Sequence, residues 1–149
     1  MQKKKGFNIN TYVAELISIV GRQHVSYDYR FASAVIPIRG ENGEFRYKIK
    51  LLINSNTGYC RVFLVEPKIK KINGEPPPHI YPSEKFWNEE RQEYNQVQLC
   101  LYLPNSGEFD NSYKLIETVI AWAIKWTEFY ELWLLCGIWY GGGQHPSSK

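Results

Sequence analysis

The residues most able to do chemistry are a cysteine and a histidine. Cys100 lies in Leu99-Cys100-Leu101-Tyr102-Leu103-Pro104, after a long polar stretch and before a turn signal at Pro104 to Gly107. Thiolate is strongly nucleophilic and a thioester stays reactive towards amines, so a cysteine at the edge of an irregular segment suits acyl carriage. The same surroundings fit a buried strand cysteine acting as a small hydrophobe, and local sequence leaves both readings open. His79 lies in Pro76-Pro77-Pro78-His79-Ile80-Tyr81. The prolines fix the backbone before it, which would serve a side chain that must face a developing oxyanion. A solvated or locally bonded loop histidine is the plainer alternative. His145 follows the glycine run Gly141 to Gly143 and reads more simply as a free tail residue.

Other chemistries find less support. The three cysteines, Cys60, Cys100 and Cys136, cannot form a closed disulfide set, and they lack paired CxxC spacing. Zinc held by Cys60, His79, Cys100 and His145 would need ligands without ligand spacing, so no metal or cofactor is expected. Gly141 to Gly143 follows a helical pattern instead of preceding one, so it is no phosphate cradle. No G-x-S-x-G elbow supports a serine hydrolase.

These residues need a scaffold, and 149 residues suffice for a single domain with a real core, spanning 1–149 with loose tails at 1–6 and 146–149. Hydrophobic residues are 44% of the chain and aromatics 15%, a globular composition. Much of the net charge of +3 comes from Lys3, Lys4 and Lys5, a solvated tip with no implication of nucleic-acid binding. That basic start has no apolar run after it, so no signal peptide is expected. Lys125, Glu128 and Glu131 interrupt the most apolar stretch, Leu115 to Tyr140, and argue against a membrane span. A reducing cytoplasm fits the cysteine usage.

Asn8 to Val20 predicts a helix with Asn10 as its cap, Val13, Leu16, Ile17 and Val20 on one face, and Gly21 as its stop. Three strand-like runs follow: Ser26 to Ile38, Phe45 to Ile53 and Tyr59 to Glu66, joined by turns at Gly40 to Gly43 and Asn54 to Gly58. Such short connections predict an antiparallel meander. Gly74 to Pro78 cannot pair centrally in a sheet. Ser83 to Gln98 reads as an exposed loop or flap, and a short apolar run, Val97 to Leu103, then carries Cys100. From Ser112 to about Cys136 the pattern is helical, with Leu115, Val119, Trp122 and Trp126 in step. Its length predicts two helices or a bend near Lys125 to Thr127, ended by Gly141 to Gly143. Trp122, Trp126, Trp133 and Trp139 read as core residues, or as part of a docking face. The order is that of an α+β domain with helices against one face or end of a single sheet.

From Pro77 to Trp139 the chain resembles ubiquitin-conjugating enzymes. The similarity is greatest to their bacterial relatives in short type II operons of cyclic-oligonucleotide-based antiphage signalling (CBASS). Pro77-Pro78-His79-Ile80-Tyr81 stands where that family has His-Pro-Asn-Ile/Val-Tyr, and Leu99-Cys100-Leu101 where it has Ile-Cys-Leu. Phe109 takes the place of a tryptophan, and Asn111-Ser112 that of the Ser-Pro that opens a helix. Trp126, Tyr130, Glu131, Trp133, Gly137, Trp139 and Gly141 to His145 resemble the bacterial branch in particular.

The resemblance implies the ubiquitin-conjugating fold, with an N-terminal helix, an antiparallel meander and C-terminal helices. It implies that Cys100 takes the C-terminal acyl group of a partner as a thioester, which an acceptor protein's amine then attacks. The implied partner is the operon's cGAS-like nucleotidyltransferase (CD-NTase), through its C-terminal tail. No adenylating domain has room in this chain, so it would be of the compact type. The chain departs from the family at His79, which replaces the asparagine that supports the oxyanion, and in the long segment Ser83 to Gln98, expected as a polar flap above Cys100. A non-catalytic module that grips a partner's tail is the alternative, and a homo-oligomer stays open.

Overall fold

A computed structural model describes residues 7–40, 45–81, 83–103 and 108–142. Lys3 to Lys5, the turn around 41–43, the turn at 104–107, Gly143, His145 and the tail 146–149 lie outside the described residues.

The first helix, α1 (Ile9–Val20), is capped by Asn8 and not by Asn10: the Asn8 side-chain oxygen accepts the Asn10 N–H at 2.9 Å. Its inward residues are Tyr12 and Leu16. Gly21 ends it at φ 92°, donating its N–H to Ile17.

The meander forms as the alternation requires, with one difference. The run from Ser26 to Ile38 is two strands, β1 (Val25–Tyr27) and β2 (Phe31–Arg39). Asp28 breaks it, its carboxylate accepting the N–H groups of Arg30 and Phe31. Those two bonds hold the Asp28 carboxyl below its ordinary range. β3 (Phe45–Asn54) and β4 (Cys60–Glu66) follow. After the proline segment come β5 (Ile80–Tyr81), a small separate hairpin of β6 (Trp87–Asn88) and β7 (Glu93–Tyr94), and β8 (Val97–Leu99). The main sheet has the order β1-β2-β3-β4-β8-β5, and all its pairs are antiparallel.

One face of this sheet is dry. Ala34 and Ile36 of β2, Ile49 and Leu51 of β3, and Val62 and Leu64 of β4 alternate into a core shared with both helices. The second helix, α2 (Val119–Cys136), lays Val119, Ala123, Trp126, Tyr130 and Trp133 on that core at helical spacing. It is a single helix through Lys125 to Thr127, where two helices or a bend was expected. It also ends four residues before the glycine run: Gly137, at φ 76°, closes it with an N–H to Trp133. Its approach is capped from afar, since the Glu15 carboxylate of α1 accepts the N–H groups of Leu115 and Ile116, both at 2.9 Å.

The segment 83–98 packs through Tyr94 and Val97, while Glu84, Lys85, Asn95 and the tip at 89–92 are exposed. Tyr94 is fully buried, pairs through its backbone with Ile69 and meets the Trp87 ring edge-on at 4.8 Å. An apolar anchor at Tyr94, hidden among Glu89, Glu90, Arg91 and Glu93, explains why composition read it as a flap.

The turn before β4 depends on Gly58. Its φ is 76°, and a Cβ there would lie 2.4 Å from the Asn111 side-chain nitrogen. Asn111 donates to the Gly58 carbonyl at 3.1 Å and to the Tyr12 hydroxyl at 3.2 Å, so one amide ties α1, the turn and the approach to α2 together. Gly58→Ala is expected to cost about 1–3 kcal/mol in urea denaturation, from left-handed strain and displacement of Asn111. A loss below about 0.5 kcal/mol would show that the turn relaxes freely.

Candidate active site

Cys100 is the first residue beyond β8, and β8 is held on both sides. Its Val97 and Gln98 pair with Leu64 and Phe63 of β4, and its Leu99 and Gln98 pair with Ile80 and Tyr81 of β5. Val97 and Leu99 point into the core, which fixes the strand's rotation and leaves Cys100 at its end, half-buried. The Cys100 N–H donates to the His79 carbonyl at 3.0 Å. Downstream, the Tyr102 hydroxyl donates to the Cys60 carbonyl at 2.6 Å, and the Glu108 carboxylate accepts the Leu103 N–H at 3.0 Å. The backbone around the thiol is therefore tied on both sides.

His79 is the other half of the arrangement. It is buried and sits in the left-handed region, at φ 57°, a conformation a non-glycine residue holds only when its surroundings demand it. The demand is visible: its carbonyl takes the Cys100 N–H and also the Trp126 indole N–H, both at 3.0 Å. Its ring lies 5.5 Å from that of Trp139. His79 and Cys100 line the same open cavity of about 170 Å³, whose other walls are mainly Trp122, Trp126, Phe129 and Trp139.

Burial and two neighbouring groups set the state of the thiol. Burial pushes it above the ordinary range, the Tyr81 hydroxyl donating to the sulfur draws it down, and the Glu108 carboxylate pushes it up. Tyr81 is raised in turn, first by burial and then by the thiolate it faces. Cys60 is fully buried and held protonated by desolvation, while Cys136 is exposed at the end of α2 with its sulfur against the Leu132 carbonyl.

A family model for Type II CBASS E2 proteins matches residues 17–146. The chain belongs to this family. Membership gives it a ubiquitin-conjugating-like role in CBASS, and an α+β architecture with an N-terminal helix, an antiparallel sheet and a C-terminal helix agrees with that. No curated protein matches the chain. Among the described residues, no helix is long and apolar enough to cross a membrane.

In this E2-family chain the fold brings His79 and Cys100 together; His145 lies outside the described residues. No described residue from 83 to 98 lines the cavity shared by Cys100 and His79, so the hairpin is not a cover over it. Gln98 instead lines a smaller recess on the Tyr81 side. Phe109 packs its ring on Tyr102 at 5.2 Å and on Tyr12 at 6.4 Å, a packing role. Two residues gained significance that sequence reasoning had not given them, Tyr81 and Trp126. Tyr81 is contiguous with His79, but its reach to Cys100 depends on β5 pairing with β8 across the intervening hairpin.

Replacing Tyr81 with phenylalanine removes the donor that favours the thiolate and leaves the ring in place. The thiol is expected to rise further, so alkylation of Cys100 at neutral pH slows severalfold and its pH profile moves to higher pH. The rate follows the thiolate, so wild type and variant should converge at high pH. Coincident profiles would show that the hydroxyl does not act on the sulfur.

Proposed function

We propose that Cys100 is the nucleophile of a conjugating enzyme that carries the C-terminal acyl group of a cGAS-like nucleotidyltransferase (CD-NTase) and passes it to an acceptor amine. The observation that carries this reading is the setting of the sulfur: half-buried at the end of β8 and on an open cavity that His79 also lines, with Tyr81 favouring its thiolate. The tail's terminal carbonyl arrives with a leaving group, as another thioester or an acyl adenylate. The thiolate attacks, a C–S bond forms and the leaving group departs. A neutral amine then attacks the same carbonyl; a C–N bond forms, the C–S bond breaks, and the amine's surplus proton goes to solvent base. Tyr81 supports the thiolate as it leaves, and the His79 imidazole supports the oxyanion formed at each attack. Membership of the Type II CBASS E2 family supports conjugation as the type of reaction. The place of action is the cytoplasm, where a reducing medium keeps Cys60, Cys100 and Cys136 free.

The elevated thiol favours a second reading, a module that grips the tail without chemistry. One experiment separates them. Wild type, Cys100→Ala and Cys136→Ala are each incubated with the operon's nucleotidyltransferase, its C-terminus supplied as a preformed thioester, and run on a non-reducing gel. The enzyme reading predicts a reductant-sensitive adduct that survives Cys136→Ala and is lost with Cys100→Ala. Binding without any adduct would leave the gripping module.

A further inference from the structure

Beyond Cys100 and His79, the cavity is a built apolar recess whose walls take no part in the bond-making described above. Trp122, Trp126, Phe129, Trp139 and Leu101 form its walls. Trp126 is stacked on Tyr130 at 5.1 Å between ring centres and lies 5.5 Å from Trp139, and Trp139 lies 6.0 Å from Phe129, so the walls brace one another. The glycine after Tyr140 is part of the construction. A Cβ at Gly141 would lie 2.7 Å from a Phe129 ring carbon and 2.8 Å from the Trp139 indole nitrogen, so only glycine lets the chain close against both rings. Lys125, largely exposed and paired with Glu128 at 3.6 Å, places an ion pair on the rim.

Resting on the reading of Cys100 as an acyl carrier, we propose that this recess is the subsite for the side chain of the acyl residue, and that it selects a large apolar C-terminal residue such as leucine or phenylalanine. The acyl carbon bonded to the Cys100 sulfur is one bond from the Cα of that residue. Its side chain therefore falls within reach of the nearest concavity, and the recess is lined by the same cysteine. Aromatic walls reward apolar surface, since each buried methylene adds to binding and a bare glycine adds none. A cationic side chain would leave water for apolar walls with no carboxylate among the described lining residues, a cost the recess does not offset. A tail ending in lysine or arginine is thus refused, and one ending in glycine is held only by its backbone.

The test uses short peptides supplied as preformed thioesters, identical except for a last residue of Leu, Phe, Gly or Lys. Loading of Cys100 is followed by intact mass, and each rate is divided by that of the same donor with glutathione to remove intrinsic reactivity. The subsite predicts kcat/KM for Leu and Phe about tenfold above Gly, with Lys slowest. Trp122→Ala, checked for native circular dichroism, should bring the Leu and Phe rates down towards that of Gly. Equal normalised rates for all four donors in wild type, with loading still abolished by Cys100→Ala, would overturn the subsite and leave the thioester reading standing. A preference that survives Trp122→Ala unchanged would overturn it too. No loading by any donor would bring down the thioester reading itself.

Discussion

Cys100→Ser is expected to form a nucleotidyltransferase adduct that resists thiol reductant and is cleaved by alkali. Cys100→Lys is expected to give one that resists both. Leaving groups decide the outcome. A thioester expels a thiolate, a weak base, so thiols and amines displace it readily; an oxyester must expel an alkoxide, and an amide an amine anion or, once protonated on nitrogen, a neutral amine. Serine is also a much poorer nucleophile than thiolate, so its adduct should accumulate slowly and persist. Cys100→Ala should abolish the adduct altogether. The site tolerates these tests because Cys100 is half-buried and only its backbone N–H is bonded to His79, a contact every one of the variants keeps. Stability should change by less than about 1 kcal/mol for serine and alanine. An adduct of unchanged lability in Cys100→Ser would place the bond on another residue.

Trp126→Ala is expected to cost about 3–5 kcal/mol, because a buried indole is removed from a stacked aromatic row and the neighbouring rings cannot fill the space. Trp126→Phe separates packing from hydrogen bonding. It keeps a ring in the core but takes the indole N–H from the His79 carbonyl, which keeps the Cys100 N–H, at a cost of about 1 kcal/mol. Loading of Cys100 should then suffer more than stability does. The indole bond holds His79 at its left-handed φ of 57°, and once it is released the residue can relax and carry the cavity wall with it. Urea denaturation with an unchanged m-value, beside loading rates, checks both halves. Equal losses of stability in the two variants would mean that the bond, not the packing, dominates at this position.

Much of the architecture was legible because its signals are periodic. Alternation from Tyr47 to Ile53 and the spacing of Val119, Trp126 and Tyr130 correspond to faces that do meet in one core. The errors fall where a single contact outweighs a pattern. Asn8 caps α1 instead of Asn10, because only Asn8 precedes the first turn with its side chain on an N–H of that turn. Asp28 divides one β-rich run into two strands through two short-range bonds that propensity does not register. Gly137 ends α2 because its left-handed conformation provides the closing N–H, whereas Gly141, the first of the conspicuous run, serves close packing against rings. The candidate site was legible as residues and not as a constellation. Cys100 and His79 were identified from motif positions, but the Tyr81 hydroxyl on the sulfur and the Trp126 bond to His79 arise from pairings that bridge 19 and 47 positions, respectively, and no local signal encodes them.

Reductant sensitivity alone would not distinguish a thioester from a disulfide, since Cys136 is exposed and free. The decisive measurement is therefore the mass and linkage of the wild-type adduct, by intact and tandem mass spectrometry under non-reducing conditions. The account predicts the sum of the two chains less one water, cleavage by hydroxylamine, and fragments joining the partner's C-terminal carbonyl to the Cys100 sulfur. A mass lower by two hydrogens only, or a linkage mapped to Cys136, would contradict it.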